Sequence, residues 1–422
     1  MSTPLLAVLY GYVALQAFRY GLDCLNLRHM LRQSHSVPAE FQGTLDRIFL
    51  RRMQVYLGEK TRFAMVVSAL ASIAVVVFLF GGLLDAYSSW IASRGLPFVV
   101  AGWLFFVLLY LASELLSVPS TLYFVFHIEK RHGFTTMTYR LWLLDLLKGA
   151  VLSLVLLTPA VLGGLWLVQT SPRLWWFWIW CFFFAFTVFI TYLSPYVIEP
   201  VFNTFTPVED GPLRARIIDL ASKVGITVGR VLKMDQSKRS MHTNAYFTGM
   251  GRTKRIILFD TLMKEMTPDE ILAVIAHEAG HWKRRHLVKG LALTEVVSLF
   301  FLFCSHQVLT RHVLGGIFGI RVDTFYGQVL ILGFFAAMLS FLFKPVMNGL
   351  MRRLEREADR FACDLGEGGE AMVKALVKLS GDNLSNLYPH PLYALFHYSH
   401  PPVLERIREI REYCKKKGTG LR

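Results

Sequence analysis

The chain has 422 residues, 54% of them hydrophobic and 14% aromatic, with a mean hydropathy of +0.43. Its apolar residues gather in stretches of roughly twenty or more, which excludes an ordinary soluble enzyme and points to the bilayer. The net charge of +15 does not indicate nucleic acid: the basic residues lie between the apolar blocks, no binding motif accompanies them, and they read as topology signals and contacts with anionic lipid.

In chain order, seven apolar blocks run over approximately 4–25, 63–86, 97–125, 142–168, 174–198, 287–310 and 325–350. Each is long enough for a membrane helix. The first begins almost at Met1 without a basic n-region or a small-residue cleavage site, which predicts a retained anchor. Charge then alternates between connections. The first carries Arg28, Arg32, Arg47, Arg51, Arg52, Lys60 and Arg62, the second only Arg94, the third Lys130, Arg131 and Arg140, and the fourth only Arg173. The connection 199–286 and the tail after 350 are rich in Lys and Arg, and the short sixth connection is sparse in them. This alternation predicts an outside N-terminus, with 199–286 and 351–422 both cytoplasmic, in a bacterial inner membrane or an ER-type membrane. The predicted organisation is spans one to five in 1–198, spans six and seven in 287–350, and one catalytic domain assembled from 199–286 and 351–422.

Several ionisable residues fall inside the blocks. Glu114, near the middle of its block, reads as a cavity residue, and Lys344 and Glu295 read as groups snorkelling near block ends, with His306 a further intramembrane group. The five cysteines (Cys24, Cys181, Cys304, Cys363 and Cys414) are scattered without a CxxC pair. They suit neither a disulfide framework nor a thiolate metal site, so any metal is expected on histidine and carboxylate.

The chemistry concentrates in the two extramembrane pieces. Ser240–Phe247 reads as a strand, and Gly249, Gly251 and Ile256-Ile257-Leu258-Phe259 extend it to a hairpin, whose edge can take an extended peptide by strand addition or be purely structural. Thr267-Pro268-Asp269-Glu270 is a capping box with proline at the first helical position. The helix it opens carries His277-Glu278-Ala279-Gly280-His281. Histidines at i and i+4 share a face and can reach one metal, while Glu278 between them can serve a metal-activated water as general base.

Catalytic zinc takes three protein ligands and an open position. Leu354-Glu355-Arg356-Glu357-Ala358-Asp359 supplies a candidate: Glu355 can ligate while Asp359, four residues on and on the same face, orients a ligating histidine. Glu357 points elsewhere and suits an ion pair with neighbouring arginines. Two blocks lie between His281 and Glu355, so the chain returns to the side it left and the ligands can meet. Near the end, His400 can stabilise an oxyanion and Arg406 can receive a peptide carboxylate or hold its own segment; spacing alone favours structural roles for both.

Together, SKRSMHTNAYFTG, KRIILFDTL, HEAGH, LEREAD and HYSHPPVLERI, with FHIEKRHGFTTMTYRLWLLDLLK and YVIEPVFNTFTPVEDGPL upstream, resemble the type I CAAX prenyl proteases. The resemblance implies a mainly α, polytopic fold: seven transmembrane helices enclosing a chamber, with a cytoplasmic-side zinc domain containing a small sheet. It implies one Zn²⁺ per chain on His277, His281 and Glu355, with Glu278 as catalytic base and acid and Asp359 behind the ligands. His242, Asn244 and Ala245 are placed along the substrate strand, with His400 and Arg406 lining the site. The implied partners are the bilayer and a peptide or protein substrate, cut near a prenylated C-terminus. A protease acting on misfolded or unprenylated membrane proteins is the alternative, and a transporter or channel is a further one that leaves the HEAGH and LEREAD pairing unexplained.

Overall fold

A computed structural model of the chain describes residues 2–248, 253–311, 313–320, 323–366 and 369–418. In chain order the first elements are α1 (Thr3–Gln33), α2 (Arg47–Phe80), a short α3 (Leu83–Ala92) and α4 (Phe98–Tyr123, continued by a π-helical stretch Phe124–Glu129). Next come α5 (Tyr139–Thr170), α6 (Trp175–Leu193, continued through Ser194–Ile198) and α7 (Glu199–Phe202). A mixed segment follows: β1 (Phe205–Pro207), α8 (Pro212–Lys223), β2 (Thr227–Met234), β3 (Ala245–Thr248), β4 (Thr253–Phe259), α9 (Asp260–Glu265) and α10 (Pro268–Lys283). The helices α11 (His286–Leu309), α12 (Val313–Phe318) and α13 (Phe325–Asp364) form the second hydrophobic region. The last helices are α14 (Glu370–Asp382), α15 (Pro391–His397) and α16 (Val403–Lys417).

Among the described residues seven helices are long and apolar enough to cross a membrane, and they coincide with the seven predicted blocks. Several boundaries differ: α1 runs on to Gln33, α2 starts as early as Arg47 and α13 runs on to Asp364. The block predicted over 63–86 ends at Phe80, because Gly82 adopts a left-handed φ of 84° that glycine tolerates best, and α3 starts a new direction.

The spans touch in the cyclic order α1, α2, α4, α5, α6, α11, α13 and back to α1. The pairs Phe63–Tyr123 and Phe63–Phe124 join α2 to the end of α4, and Tyr12–Phe334 and Phe18–Phe341 close the ring. Buried apolar residues concentrate at its two ends. One plug gathers Leu79, Leu84, Phe105, Trp175, Leu309 and Tyr326. The opposite plug gathers Met30, Met53, Tyr56, Ile128, Phe134 and Cys363. Between them the spans bury little: α11 has no buried residue between His286 and Ser305. Glu114 lies in this middle zone, half-buried. Lys344 reaches back over the Phe341 ring at 5.6 Å.

Beyond the second plug, a four-stranded sheet in the order β1-β2-β4-β3 packs against α8 and α10. Strands β2 and β4 run parallel and the outer pairs antiparallel, which leaves β3 at an edge. The predicted hairpin is present as β3 and β4, although its strand covers Ala245–Thr248 rather than 240–247. Ser240 and Met241 pair instead with the loop after α4, through Thr135 and Phe134, and Gly249 and Gly251 lie outside the described residues. A core containing Ile217, Ile256, Leu258, Ile271, Ile275, Ala362 and Ala375 joins residues on both sides of the α11–α13 hairpin. The scattered cysteines include one spatial pair: the free, buried thiols of Cys363 and Cys414 lie 2.6 Å apart between α13 and α16.

Candidate metal centre

The helix α10 begins as its sequence predicts. Thr267 Oγ1 accepts from the Glu270 N–H at 3.4 Å, and the Thr267 N–H donates to Glu270 at 2.8 Å. Lys378 Nζ, 2.7 Å from the same buried carboxylate, compensates its charge. The helix is enclosed on most sides: Ile271, Leu272, Ala273, Ile275, Ala276 and Ala279 are all buried. Gly280 faces α13 so closely that an added Cβ would meet Ala358 Cα at 3.0 Å and the Ala358 carbonyl at 3.2 Å. This pair of small residues lets the two backbones approach and brings α13 carboxylates against α10 histidines.

At that seam His277 Nε2 and His281 Nε2 are 3.2 Å apart. Glu355 Oε2 lies 3.5 Å from the first and Glu355 Oε1 3.3 Å from the second. One donor atom from each of the three residues falls within a 4.8 Å sphere of mutual distances, the only such grouping among the described residues. Behind it, Asp359 Oδ1 sits 2.8 Å from His277 Nδ1. Arg406 grips Asp359 with two bonds, Nε to Oδ2 at 2.9 Å and a terminal nitrogen to Oδ1 at 2.6 Å. His286 Nδ1 lies 2.9 Å from His281 Nδ1, and its Nε2 lies 3.4 Å from Glu357. Each cluster histidine is thus held by its far nitrogen, so its Nε2 points inward.

The donor set fits a divalent metal. Glu355 is buried, and its Oε2 makes no hydrogen bond although His400 Nδ1 stands 2.8 Å away. A buried carboxylate that turns one oxygen to each of two imidazole nitrogens, one of those oxygens unpartnered, matches the two-histidine, one-carboxylate arrangement that zinc takes. Burial pulls the His277 pKa down, but Asp359 and Glu355 beside it outweigh burial and push it up to about 9. The site therefore favours positive charge. Glu278 is half-buried next to the cluster, and burial raises its carboxyl pKa against the opposing pull of His277 and His281. A carboxyl raised in this way suits proton transfer near neutral pH.

None of the four residues expected along the substrate supplies a donor to the metal cluster. Arg406 is half-buried with two nitrogens on Asp359, and so holds the site together rather than presenting a fork to a peptide. His242 uses both ring nitrogens away from the cluster, on Glu129 and Asn383. Ala245 opens β3 with its side chain buried in the core, and Asn244 just before it is exposed. His400 remains at the rim, its side chain 64% exposed. Glu357 pairs with Arg353 at 3.8 Å, the ion pair its position predicts.

Sequence reasoning missed His286, Glu129, Tyr56 and Asn383. His286 stands five residues after His281, outside helical ligand spacing. It returns to the site because Arg285 takes a left-handed φ of 55°, unfavourable for a non-glycine residue. Glu129 lies within the FHIEK stretch, but nothing in its spacing tied it to His242.

Two family models match the chain: one described as CAAX prenyl protease N-terminal, five membrane helices, over residues 26–204, and Peptidase family M48 over 207–414. The CAAX prenyl protease 1 homolog of Arabidopsis thaliana is 31% identical over 99% of this chain and 100% of the relative. CAAX prenyl protease 1 of Saccharomyces cerevisiae is 34% identical over 72% of this chain and 71% of its own length. The crystal structure of S. mikatae Ste24p superposes with a TM-score of 0.88 at 26% identity, covering 97% of this chain and 99% of that one. These likenesses do not favour the quality-control or transporter alternatives.

Proposed function

The chain belongs to the M48 peptidases, in the type I CAAX prenyl protease family, and on that premise we propose that His277, His281 and Glu355 hold its zinc while Glu278 moves the proton of hydrolysis. The protein is a zinc-dependent integral-membrane endopeptidase. The observation that carries the residue assignment is the convergence of the two Nε2 atoms and the Glu355 carboxylate within 4.8 Å.

Zinc held there supplies Lewis acidity, making a water acidic and a scissile carbonyl electrophilic. Glu278 takes the proton from the attacking water and returns it to the leaving amine nitrogen. Asp359 accepts from His277 Nδ1–H and fixes the tautomer that leaves Nε2 free to ligate. Arg406 keeps Asp359 ionised in its buried position, and His400 at the rim donates to the developing oxyanion. The edge of β3, led by Asn244 and Ala245, takes the peptide as an added strand. His242 contributes to the same stretch.

The substrate we propose is a protein with a prenylated C-terminus, since relatives across plants and fungi carry the CAAX protease name. The prenyl chain would lie inside the ring of spans, between its two plugs. We assign 199–286 and 351–422 to one cytoplasmic catalytic domain, on the basis of the basic connections flanking the spans. The test combines zinc analysis of the purified protein with cleavage of one peptide in farnesylated and unprenylated forms. One zinc per chain and faster cleavage of the farnesylated form are expected. Absence of zinc removes the ligand assignment, and a preference for the unprenylated form removes the substrate assignment.

A further inference from the structure

The segment leading into β3 is held less by the sheet than by the membrane ring. The Met241 N–H donates to the Phe134 carbonyl at 2.9 Å and the Thr136 N–H to the Arg239 carbonyl at 3.3 Å, with an isolated bridge between Thr135 and Ser240. Arg239 forks Asp145 on α5 at 2.7 and 3.0 Å. At the centre His242 stacks on Phe134, with ring centroids 4.5 Å apart. Its Nε2 is 3.4 Å from Glu129 Oε2, and its Nδ1 is 2.6 Å from Asn383 Oδ1.

Glu129 ends the π-helical continuation of α4 and is buried, and its Oε1 accepts from the buried Tyr56 hydroxyl on α2 at 2.7 Å. Lys60 Nζ donates to that hydroxyl at 3.3 Å. One polar chain therefore runs from α2 through the end of α4 and the segment before β3 to the end of α14. A buried carboxylate is costly unless all its partners are present. Here it lies inside an otherwise apolar plug and contacts none of the metal-cluster residues. What it fixes is His242, whose carbonyl accepts from Thr261 Oγ1 at 3.0 Å, two residues before the Asn244 carbonyl accepts the Phe259 N–H at 3.2 Å to open the β3–β4 ladder.

We propose that Glu129 is a positioning residue for peptide binding: acting through His242, it anchors the leading end of the β3 edge to the membrane ring and so sets where a bound peptide lies relative to the metal cluster. This rests on the reading of β3 as the substrate edge. The strut joins the elements that would hold a lipid chain to the element that would hold the peptide. It thereby fixes the spacing between the two.

The test uses the full-length protein in nanodiscs and a C-terminally farnesylated peptide. In Glu129→Ala the KM rises about tenfold with kcat within about threefold, the loss expected for a charged hydrogen bond that acts on binding. Zinc content stays at the wild-type value, and amide exchange over 240–248 accelerates while exchange in α10 does not. Glu129→Gln recovers most of the KM. Tyr56→Phe, which preserves shape, raises KM about threefold and keeps the test open if the alanine variant fails to fold. Unchanged KM and exchange overturn the proposal, and so does a joint loss of zinc and kcat, which marks a general structural role. If peptide gives the wild-type segment 240–248 no added protection, the substrate-edge reading fails and the inference falls with it. If that protection appears and the variants still bind normally, the inference alone fails.

Discussion

Helices α10 and α11 are separated by two residues, and both are strongly apolar, yet they meet opposite surroundings. In α10, ten of sixteen residues are buried, including His277 and Glu270. The most apolar window of α11 buries none of its residues, and Val296 and Phe300 are 67% and 69% exposed. Apolar sequence thus states a need for cover without saying what supplies it. Protein covers α10, while α11 leaves its apolar side chains exposed, as a membrane-spanning helix does. Only where protein supplies the cover can polar groups be held on several sides at once, which is why the histidines we propose as ligands lie on α10.

This contrast can be broken at graded cost. The largest effect is expected for Glu278→Gln, which should lower peptide cleavage roughly a thousandfold with zinc content unchanged; a variant of near-normal activity would remove Glu278 from the proton path. Ile275→Ala, in the enclosed helix, should destabilise the protein by about 2–5 kcal/mol in denaturant unfolding from detergent. Val296→Ala on α11 should change it by less than about 1 kcal/mol, and equal losses would erase the distinction between the two helices. Asp359→Asn should weaken zinc affinity roughly 10–100-fold, read by competition with a chelator, because His277 loses the group that fixes its tautomer. The smallest contrast lies in two glycines. Gly280→Ala should cost about 1–3 kcal/mol by driving a methyl into Ala358, whereas Gly290→Ala, with nothing within 4 Å of the added carbon, should shift stability by less than about 0.5 kcal/mol.

Much of this is legible in the sequence where a local rule decides the outcome. Helical spacing places His277 and His281 on one face, the capping box starts α10 at Pro268, and an even number of crossings returns Glu355 to the same side. The rest depends on contacts that no local pattern encodes. The strained turn at Arg285 returns His286 to His281. Arg406 pairs with Asp359 across two helices, and a histidine-arginine segment reads the same whether its arginine faces substrate or carboxylate. His242 lies in a stretch with strand character, but the loop after α4 competes for it through Glu129 and Phe134, and the sheet begins only at Ala245. Cys363 and Cys414 meet although no spacing pairs them.

The hairpin of α11 and α13 that interrupts the site also sets when the site can exist. His277 and His281 emerge from the ribosome well before Glu355, and Arg406, which clamps the Asp359 behind them, comes last of all. Until the seventh span is inserted and the C-terminal helices fold back onto α10, the ligand set is incomplete. A nascent or truncated chain is therefore a membrane protein without the assembled cluster. The connectivity itself acts as a built-in delay between the appearance of the histidines and the completion of the cluster.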